Sequence, residues 1–324
     1  LSDGRIAALD SHVEAVTKFL STGEDAIATN FNELIPQGSY AQRTIINPVG
    51  SGDEFDADVL LDMDEVDDWD AEEYVENLYS AFRASSTYKD MVGRKSRCVT
   101  VNYAGDFHMD VVPYLTRHGE HYITNRNQNQ YERTNPEGFN EWLDEQNRIT
   151  GGNRLVKVIR LLKYVRDFKN TFSVKSVILT ILLGERVSST VIMADPDHYK
   201  DLPTALLNLM TDLNTYLQAN PTMPSIDDPS CPGENFNHRW DQEQYANFRS
   251  KIATYTGWAE DAYFETDREE SYRKWRKLFG DKFGTYSTAG ATLAVAHRGL
   301  PGVRDTEEFI EDRFAVSINP HYRV

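Results

Sequence analysis

The stretch that decides the fold reads Gly38-Ser39-Tyr40 and, after a short connection, Glu54-Phe55-Asp56-Ala57-Asp58-Val59-Leu60-Leu61. Its second part alternates like a β-strand, on which residues two apart point to the same face. Asp56 and Asp58 therefore project together, and the alternate residues point into a core: Phe55, Ala57, Val59 and Leu61. Two adjacent carboxylates repel each other unless a cation lies between them. Such oxygen ligands predict a Mg²⁺ site, and the glycine-serine turn offers N–H groups and a hydroxyl to phosphates.

A third acid belongs to the same pattern. In Asp106-Phe107-His108-Met109-Asp110-Val111-Val112-Pro113-Tyr114, one strand face carries Phe107, Met109 and Val111. Asp110 lies on the other face among mostly apolar neighbours, where an unpaired charge would be costly. The ordered set of Gly-Ser, Asp-x-Asp and a later single Asp predicts a metal site. His108 flanks Asp110 and can be interpreted as a general base, but we favour a structural role because metal ions can deprotonate the attacking group.

At this point the sequence resembles the polymerase-β-type nucleotidyltransferases. Within them it is most similar to the CD-NTases, bacterial relatives of cyclic GMP-AMP synthase that make cyclic oligonucleotide signals in anti-phage defence. The resemblance departs from the metazoan sensors, whose zinc-binding insertion is missing here. The residues that carry it are Gly38-Ser39-Tyr40, Thr44-Ile45-Ile46-Asn47-Pro48, Glu54-Phe55-Asp56-Ala57-Asp58, Thr134-Asn135-Pro136, Phe139-Asn140-Glu141-Trp142, Leu161-Leu162-Lys163-Tyr164 and Val174-Lys175-Ser176-Val177-Ile178-Leu179.

The resemblance implies an α+β fold. It consists of a polymerase-β-like nucleotidyltransferase lobe, built from a small mixed sheet with helices, and a helical-bundle lobe, with the substrate cleft between them. We expect an N-terminal spine helix in residues 1–34, the catalytic core in 35–132 and the helical substrate-binding lobe with a C-terminal return segment in 133–324.

Periodicity adds the individual elements. Strand-like runs occupy 54–62, 97–103 and 107–115. Apolar residues at helical spacing predict a long first helix, a helix at 71–84 and further helices later in the chain. The acidic run 62–73 leads into the N-terminus of the helix at 71–84. The later helices are expected at 137–148, 154–168, 173–184, 199–218, 239–263 and 268–279.

The resemblance also implies the roles of individual residues. Asp56, Asp58 and Asp110 would be catalytic and hold Mg²⁺, with Mn²⁺ as a substitute. Gln37, Gly38 and Ser39 would bind the nucleotide, and Lys163 and Ser176 would hold its outer phosphates. Lys175 can assist them. The base contacts stay open among four residues: Gln37, Tyr40, Tyr114 and Asn235.

Composition limits the partners and the compartment. The chain has 34 basic and 51 acidic residues and a formal net charge of -17, which disfavours binding to duplex DNA or RNA. We therefore expect no nucleic-acid activator. Cys98 and Cys231 form no zinc motif and fit a reducing cytoplasm. We expect no signal peptide and no membrane-spanning run. The final residues, 321–324, read like the start of a strand and are compatible with a longer native protein.

These observations lead to one main hypothesis. The protein would join nucleoside triphosphates, including ATP, into a cyclic di- or trinucleotide in the cytoplasm. A regulatory protein could control it, and a downstream effector would bind the product. Two alternatives stay open: transfer of a nucleotide to a protein or RNA acceptor, and a non-catalytic nucleotide-binding regulator. The acidic composition weighs against RNA, and the intact set of three acids weighs against a regulator without catalysis.

Overall fold

A computed structural model describes residues 3–47, 49, 55–103 and 107–284. Contacts divide the chain into two compact units. Unit 1 contains residues 1–142 and 228–234, and unit 2 contains 143–227 and 235–324. The three-part division expected from the sequence, with boundaries after residues 34 and 132, stays a prediction. Pro48, Glu54 and the strand expected at 321–324 lie outside the described residues, as does the side chain of Phe55.

Unit 1 begins with a long helix, as predicted. Helix α1 (Asp3–Ser21) is followed by a short α2 (Ala26–Thr29), strand β1 (Phe31–Gln37) and one helical turn, α3 (Gly38–Ala41). Leu9, Val16 and Leu20 of α1 are buried in the core of the unit, because residues seven and four apart share one helix face.

After α3, the elements of unit 1 are helix α4 and the strands β2 to β7. Helix α4 (Ala71–Ala84) begins where predicted because the Asp70 and Glu73 side chains form a capping box with each other's backbone N–H groups. The strands are β2 (Phe55–Met63), β3 (Val92–Arg94), β4 (Val99–Tyr103), β5 (Phe107–Arg117), β6 (Glu120–Asn125) and β7 (Gln130–Arg133).

The described strands form one mixed sheet in the order β1-β2-β5-β4-β3, with β6 paired to β5 and β7 to β6. Strands β2 and β5 run parallel, and the other pairs are antiparallel. Ala57, Val59 and Leu61 of β2 are fully buried, together with Met109 and Val111 of β5. The predicted alternation of core and acid faces on these two strands is therefore confirmed.

Four strands of this sheet were not predicted from the sequence: β1, β3, β6 and β7. In β1 only Leu34 is buried, and β3 has three residues. Strands β6 and β7 carry mostly polar or half-exposed residues. Short strands without a regular alternation of apolar and polar residues cannot be identified from sequence periodicity. They are recognised as strands by their pairing with neighbouring strands.

Unit 2 is helical, as expected. The chain enters it through α5 (Pro136–Thr150), within which the two units meet in sequence. The later helices are α6 (Arg154–Lys169), α7 (Ser176–Gly184), α8 (Ser189–Ala194), α9 (Leu202–Ala219), α10 (Gln242–Tyr263) and α11 (Arg268–Phe279). Helices α9, α10 and α11 start after Asp201, Asp241 and Asp267, whose carboxylates accept from backbone N–H groups of the first turn.

One segment differs from the expectation that no run could span a membrane. By length and composition, Ser176–Ala194 is apolar enough to do so. In the structure this segment forms α7 and α8, and residues 178–184 of α7 are buried in unit 2. The apolar composition of α7 is therefore accounted for by the core of that unit.

Candidate active site

The three predicted acids lie on two neighbouring strands of unit 1. In the parallel pair β2–β5, Asp58 lies opposite Asp110, and Asp56 lies opposite His108. Asp56 and Asp58 share one face of β2 because they are two residues apart. Asp56 is exposed, Asp58 is half-buried and Asp110 is buried. The fold thus brings together acids that are 52 residues apart in the sequence.

Asp58 has the most strongly perturbed carboxyl group of the three. Burial raises its pKa, and the charges of Asp56 and Asp110 raise it further, to about 7. The charges of Lys95 and His108 act in the opposite direction. A carboxyl group in this setting gains from a nearby cation, because the cation relieves the repulsion that disfavours its charged form.

Asp110 has polar partners that sequence reasoning missed. Lys95 Nζ donates to both of its oxygens, at 3.1 Å to Oδ1 and 2.8 Å to Oδ2. Thr100 Oγ1 donates to Oδ1 at 2.5 Å. Thr100 lies opposite Asp110 on β4, and Lys95 directly follows β3. The basic run Arg94-Lys95-Ser96-Arg97 was the available signal for Lys95, but only strand pairing shows which acid it meets.

Gly38 supports the position of Asp58. Its neighbour Gln37 lies opposite Asp58 across β1 and β2. Gly38 has φ +60°, and a Cβ atom at this position would lie 2.8 Å from Asp58 Oδ2. Glycine is therefore required both by the left-handed backbone and by the close approach of the carboxylate. Ser39 follows in α3, and its carbonyl accepts from Thr44 N at 2.9 Å.

These residues fit a divalent cation by their donor chemistry. Three carboxylates from one face of the sheet supply hard oxygen ligands, and their mutual repulsion is visible in the raised pKa of Asp58. Among the residues that the structure describes, no group of three or more His, Cys, Asp or Glu side chains is close enough together to hold a metal ion. The contacts of Asp110 with Lys95 and Thr100 show that its carboxylate is directed to other partners.

The two predicted phosphate-binding residues of the helical lobe lie in unit 2. Lys163, on α6, is 3% exposed. Ser176 is the first residue of α7, and its Oγ accepts from Arg166 Nη1 at 3.2 Å. Arg166 also donates to the carbonyl of Val174 at 3.0 Å. Arg166 was not predicted as a neighbour of Ser176. Whether Lys163 and Ser176 bind the same nucleotide as the acids stays a prediction.

Most residues considered for base recognition have structural contacts of their own. The Tyr40 hydroxyl donates to Asp10 of α1. Tyr114 is buried and stacks on His121, with ring centroids 5.3 Å apart. Asn235 Oδ1 accepts from the backbone N–H of Asn237 at 3.1 Å. Their contacts with a base therefore stay predictions, as does that of Gln37.

Comparison with known proteins supports the resemblance. Residues 1–147 match the model of the Second Messenger Oligonucleotide or Dinucleotide Synthetase domain. The c-di-GMP synthase of Roseivirga ehrenbergii is 32% identical over 155 residues, which cover 46% of this chain and 41% of that protein. Over its N-terminal part this chain is thus similar to the CD-NTases. The resemblance stated from the sequence is thereby confirmed.

Further similarities extend beyond the N-terminal half of this chain. The cyclic AMP-AMP-AMP synthase of an Acinetobacter species is 24% identical over 253 residues, or 76% of this chain and 71% of that protein. The structure of the Bradyrhizobium diazoefficiens CD-NTase CdnG in complex with GTP has a TM-score of 0.69 at 20% identity and covers 87% of this chain and 91% of the other. The E. coli MS115-1 CdnC:HORMA-deltaN complex has a TM-score of 0.66 at 17% identity, with 88% and 94% covered.

These identities, coverages and TM-scores support the fold more broadly than they support the activity. The structural matches confirm the predicted α+β fold of a CD-NTase over most of the chain. The match to the Roseivirga synthase, in contrast, spans less than half the length of that relative. The activity, substrates and partners of this protein are therefore proposals.

The raised pKa of Asp58 predicts how the stability of the metal-free protein depends on pH. Asp58 binds its proton more tightly in the folded than in the unfolded protein. The folded protein therefore loses stability as the pH rises from the ordinary pKa of 3.8 to about 7. Asp58→Asn should therefore gain stability over the wild type through this window, by up to about 4 kcal/mol at pH 8. Denaturant unfolding in EDTA at several pH values measures the difference. Asp67→Asn, at an exposed position of unit 1, should show no growing difference, and a constant gap for Asp58→Asn would contradict the expectation.

Proposed function

We propose that this protein is a nucleotidyltransferase that joins nucleoside triphosphates into a cyclic di- or trinucleotide. The proposal is carried by one observation: Asp58 and Asp110 lie side by side on parallel strands, with Asp56 on the same face. It is supported by the curated relatives, which are named as synthases of c-di-GMP and of cyclic AMP-AMP-AMP. We further propose that the product is a second messenger in bacterial anti-phage signalling.

In the proposed reaction a ribose hydroxyl attacks the α-phosphorus of a nucleoside triphosphate, and pyrophosphate leaves. Asp56, Asp58 and Asp110 would hold Mg²⁺ or Mn²⁺, which when bound stabilises charge on the attacking and leaving oxygens. The chain contributes carboxylates fixed on paired strands, so that their positions need little reorganisation. Ser39 and the backbone at Gly38 would orient the triphosphate next to Asp58, and Gln37 would contact the nucleotide.

Lys163 and Ser176 are proposed to hold the outer phosphates, and substitution should weaken nucleotide binding. We expect Lys163→Met, which preserves the buried stem, and Ser176→Ala to lower affinity for a non-hydrolysable triphosphate by about tenfold each. These losses should be smaller than the activity losses of metal-ligand variants. Isothermal titration measures the affinity, and Ser173→Ala, at an exposed neighbouring position, is the matched control. Unchanged affinity in both variants would contradict the proposed role of unit 2.

The product is expected to form without nucleic acid and to contain adenine. With a formal net charge of -17, binding of a duplex would have to overcome net repulsion. Purified protein incubated with the four nucleoside triphosphates and Mg²⁺ or Mn²⁺ should give phosphatase-resistant material, identified by mass spectrometry. Added duplex DNA should change the yield little. Adenine is expected because one curated relative is a cyclic AMP-AMP-AMP synthase.

The same experiment separates the alternatives. Strict dependence on added DNA or RNA would contradict the expected regulation. Linear, phosphatase-sensitive oligomers, or label transferred to a protein, would favour the hypothesis of a different acceptor. Binding of nucleotides without turnover in either metal would favour a non-catalytic regulator.

The proposed setting follows from the same reasoning. We place the protein in the cytoplasm, where its nucleoside triphosphate substrates occur and where Cys98 and Cys231, both free and buried, would stay reduced. A regulatory protein partner is proposed because a related enzyme forms a complex with a HORMA protein. A downstream effector would bind the cyclic product.

A further inference from the structure

Lys95 provides a positive charge at the carboxylate of Asp110. Its ammonium group donates to both Asp110 oxygens, at 3.1 and 2.8 Å, so both oxygens of this carboxylate are already engaged by a cation. Thr100 holds Oδ1 through its hydroxyl. Asp110 is buried, whereas 54% of the Lys95 side chain is exposed.

The backbone around Lys95 is held by hydrogen bonds, while its side chain is largely exposed. Lys95 N donates to the carbonyl of Cys98 at 2.9 Å, and the carbonyl of Ser96 accepts from Arg126 N at 2.7 Å. Arg97 pairs with Glu132, with Nη2 to Oε1 at 2.8 Å. The connection between β3 and β4 is therefore anchored on both sides of Lys95. Rotation of its flexible side chain into solvent would release Asp110 without moving the strands.

A lysine ammonium and a divalent cation both bind the lone pairs of a carboxylate, and Lys95 and Thr100 already engage both lone pairs of Oδ1 and one of Oδ2. Two cations at one carboxylate also repel each other. We propose that Lys95 is a counter-cation that competes with the divalent metal ion for Asp110 and leaves the carboxylate when the metal binds. The proposal rests on the metal site of the proposed function and adds a residue that opposes binding of the free metal.

This competition has a consequence for the order of binding. In the absence of nucleotide, Lys95 stabilises the three neighbouring carboxylates and lowers the affinity for free metal. A metal ion that arrives with a nucleoside triphosphate brings negative charge with it, and this charge compensates the displaced ammonium. Lys95 therefore favours the metal–nucleotide complex over the free ion.

The competition can be measured with Mn²⁺ alone, without turnover. Free Mn²⁺ is quantified by electron paramagnetic resonance during titration of the nucleotide-free protein. We expect Lys95→Met to bind Mn²⁺ about tenfold more tightly than the wild type. Lys89→Met removes the same charge at an exposed position of unit 1 and should leave the affinity unchanged. Amine acetylation followed by mass spectrometry provides a second readout: in the wild type, Mn²⁺ should increase the labelling of Lys95.

The outcomes separate this inference from the proposed function. If the wild type binds Mn²⁺ and Asp58→Asn abolishes that binding, the metal site stands. In that case equal or weaker binding by Lys95→Met, or labelling of Lys95 that does not respond to Mn²⁺, would overturn the competition. Weaker nucleotide binding by Lys95→Met with unchanged Mn²⁺ affinity would overturn it as well and assign Lys95 to the phosphates. If Asp58→Asn leaves Mn²⁺ binding unchanged, the proposed metal site itself is wrong.

Discussion

Asp58→Asn should abolish formation of the cyclic product, with a loss of at least about a thousandfold, while the protein remains folded. Asp58 lies between Asp56, on its own strand face, and Asp110, opposite it on β5. The substitution removes the charge at the centre of this set but keeps the shape of the side chain. Product is measured by mass spectrometry after phosphatase treatment, and folding by circular dichroism and thermal unfolding.

The expected stability of Asp58→Asn allows a loss of activity to be distinguished from unfolding. Burial and the charges of Asp56 and Asp110 raise the pKa of Asp58 to about 7, so its ionised form is disfavoured in the metal-free fold. Asp58→Asn should therefore be at least as stable as the wild type in EDTA at pH 8, and loss of activity would not reflect unfolding. Asp67→Asn is the matched control. Full activity of folded Asp58→Asn would show that the carboxylate is not needed.

The other two acids should give related results. Asp56→Asn should lose activity as completely as Asp58→Asn, because Asp56 shares the face of β2 with Asp58 and would hold the metal ion with it. Asp110→Asn should lose most activity and retain some with Mn²⁺.

Gly38→Ala should lower activity by about a hundredfold, the second largest effect expected. The added Cβ would lie 2.8 Å from Asp58 Oδ2, and the carboxylate can relieve the clash only by turning away. Displacement of a catalytic group by about 1 Å is sufficient for a loss of this size. The positive φ of Gly38 adds a cost of about 1–2 kcal/mol in stability. Steady-state kinetics and thermal unfolding measure the two effects separately.

Gly119→Ala is the control that isolates the clash. Gly119 has φ +80°, and nothing lies within 4 Å of the position that its Cβ would take. It should therefore lose stability to a similar degree and keep its activity. If Gly38→Ala and Gly119→Ala lose activity equally, backbone strain rather than contact with Asp58 is responsible.

The elements that were predicted correctly share a strong local signal. Helix α4 begins at a capping box and ends at the predicted residue, and α11 begins after Asp267 as its first-turn acids indicate. The inward faces of β2 and β5 followed from the alternation over residues 55–59 and 107–111. The unpredicted strands have few buried residues, and they are short, so that they carry little apolar alternation even where they pair with the next strand in the sequence.

The sequence by itself determined the three acids, the glycine-serine turn, the family resemblance and the two strands that carry the acids. These features are local, since side-chain alternation, caps and turn residues act over a few positions. Only the tertiary structure decided that β2 and β5 are parallel neighbours with Asp58 opposite Asp110. It also decided that Gly38 meets Asp58, that Lys95 binds Asp110 and that Arg166 binds Ser176. Such contacts depend on strand register and chain connection, and no local periodicity encodes them.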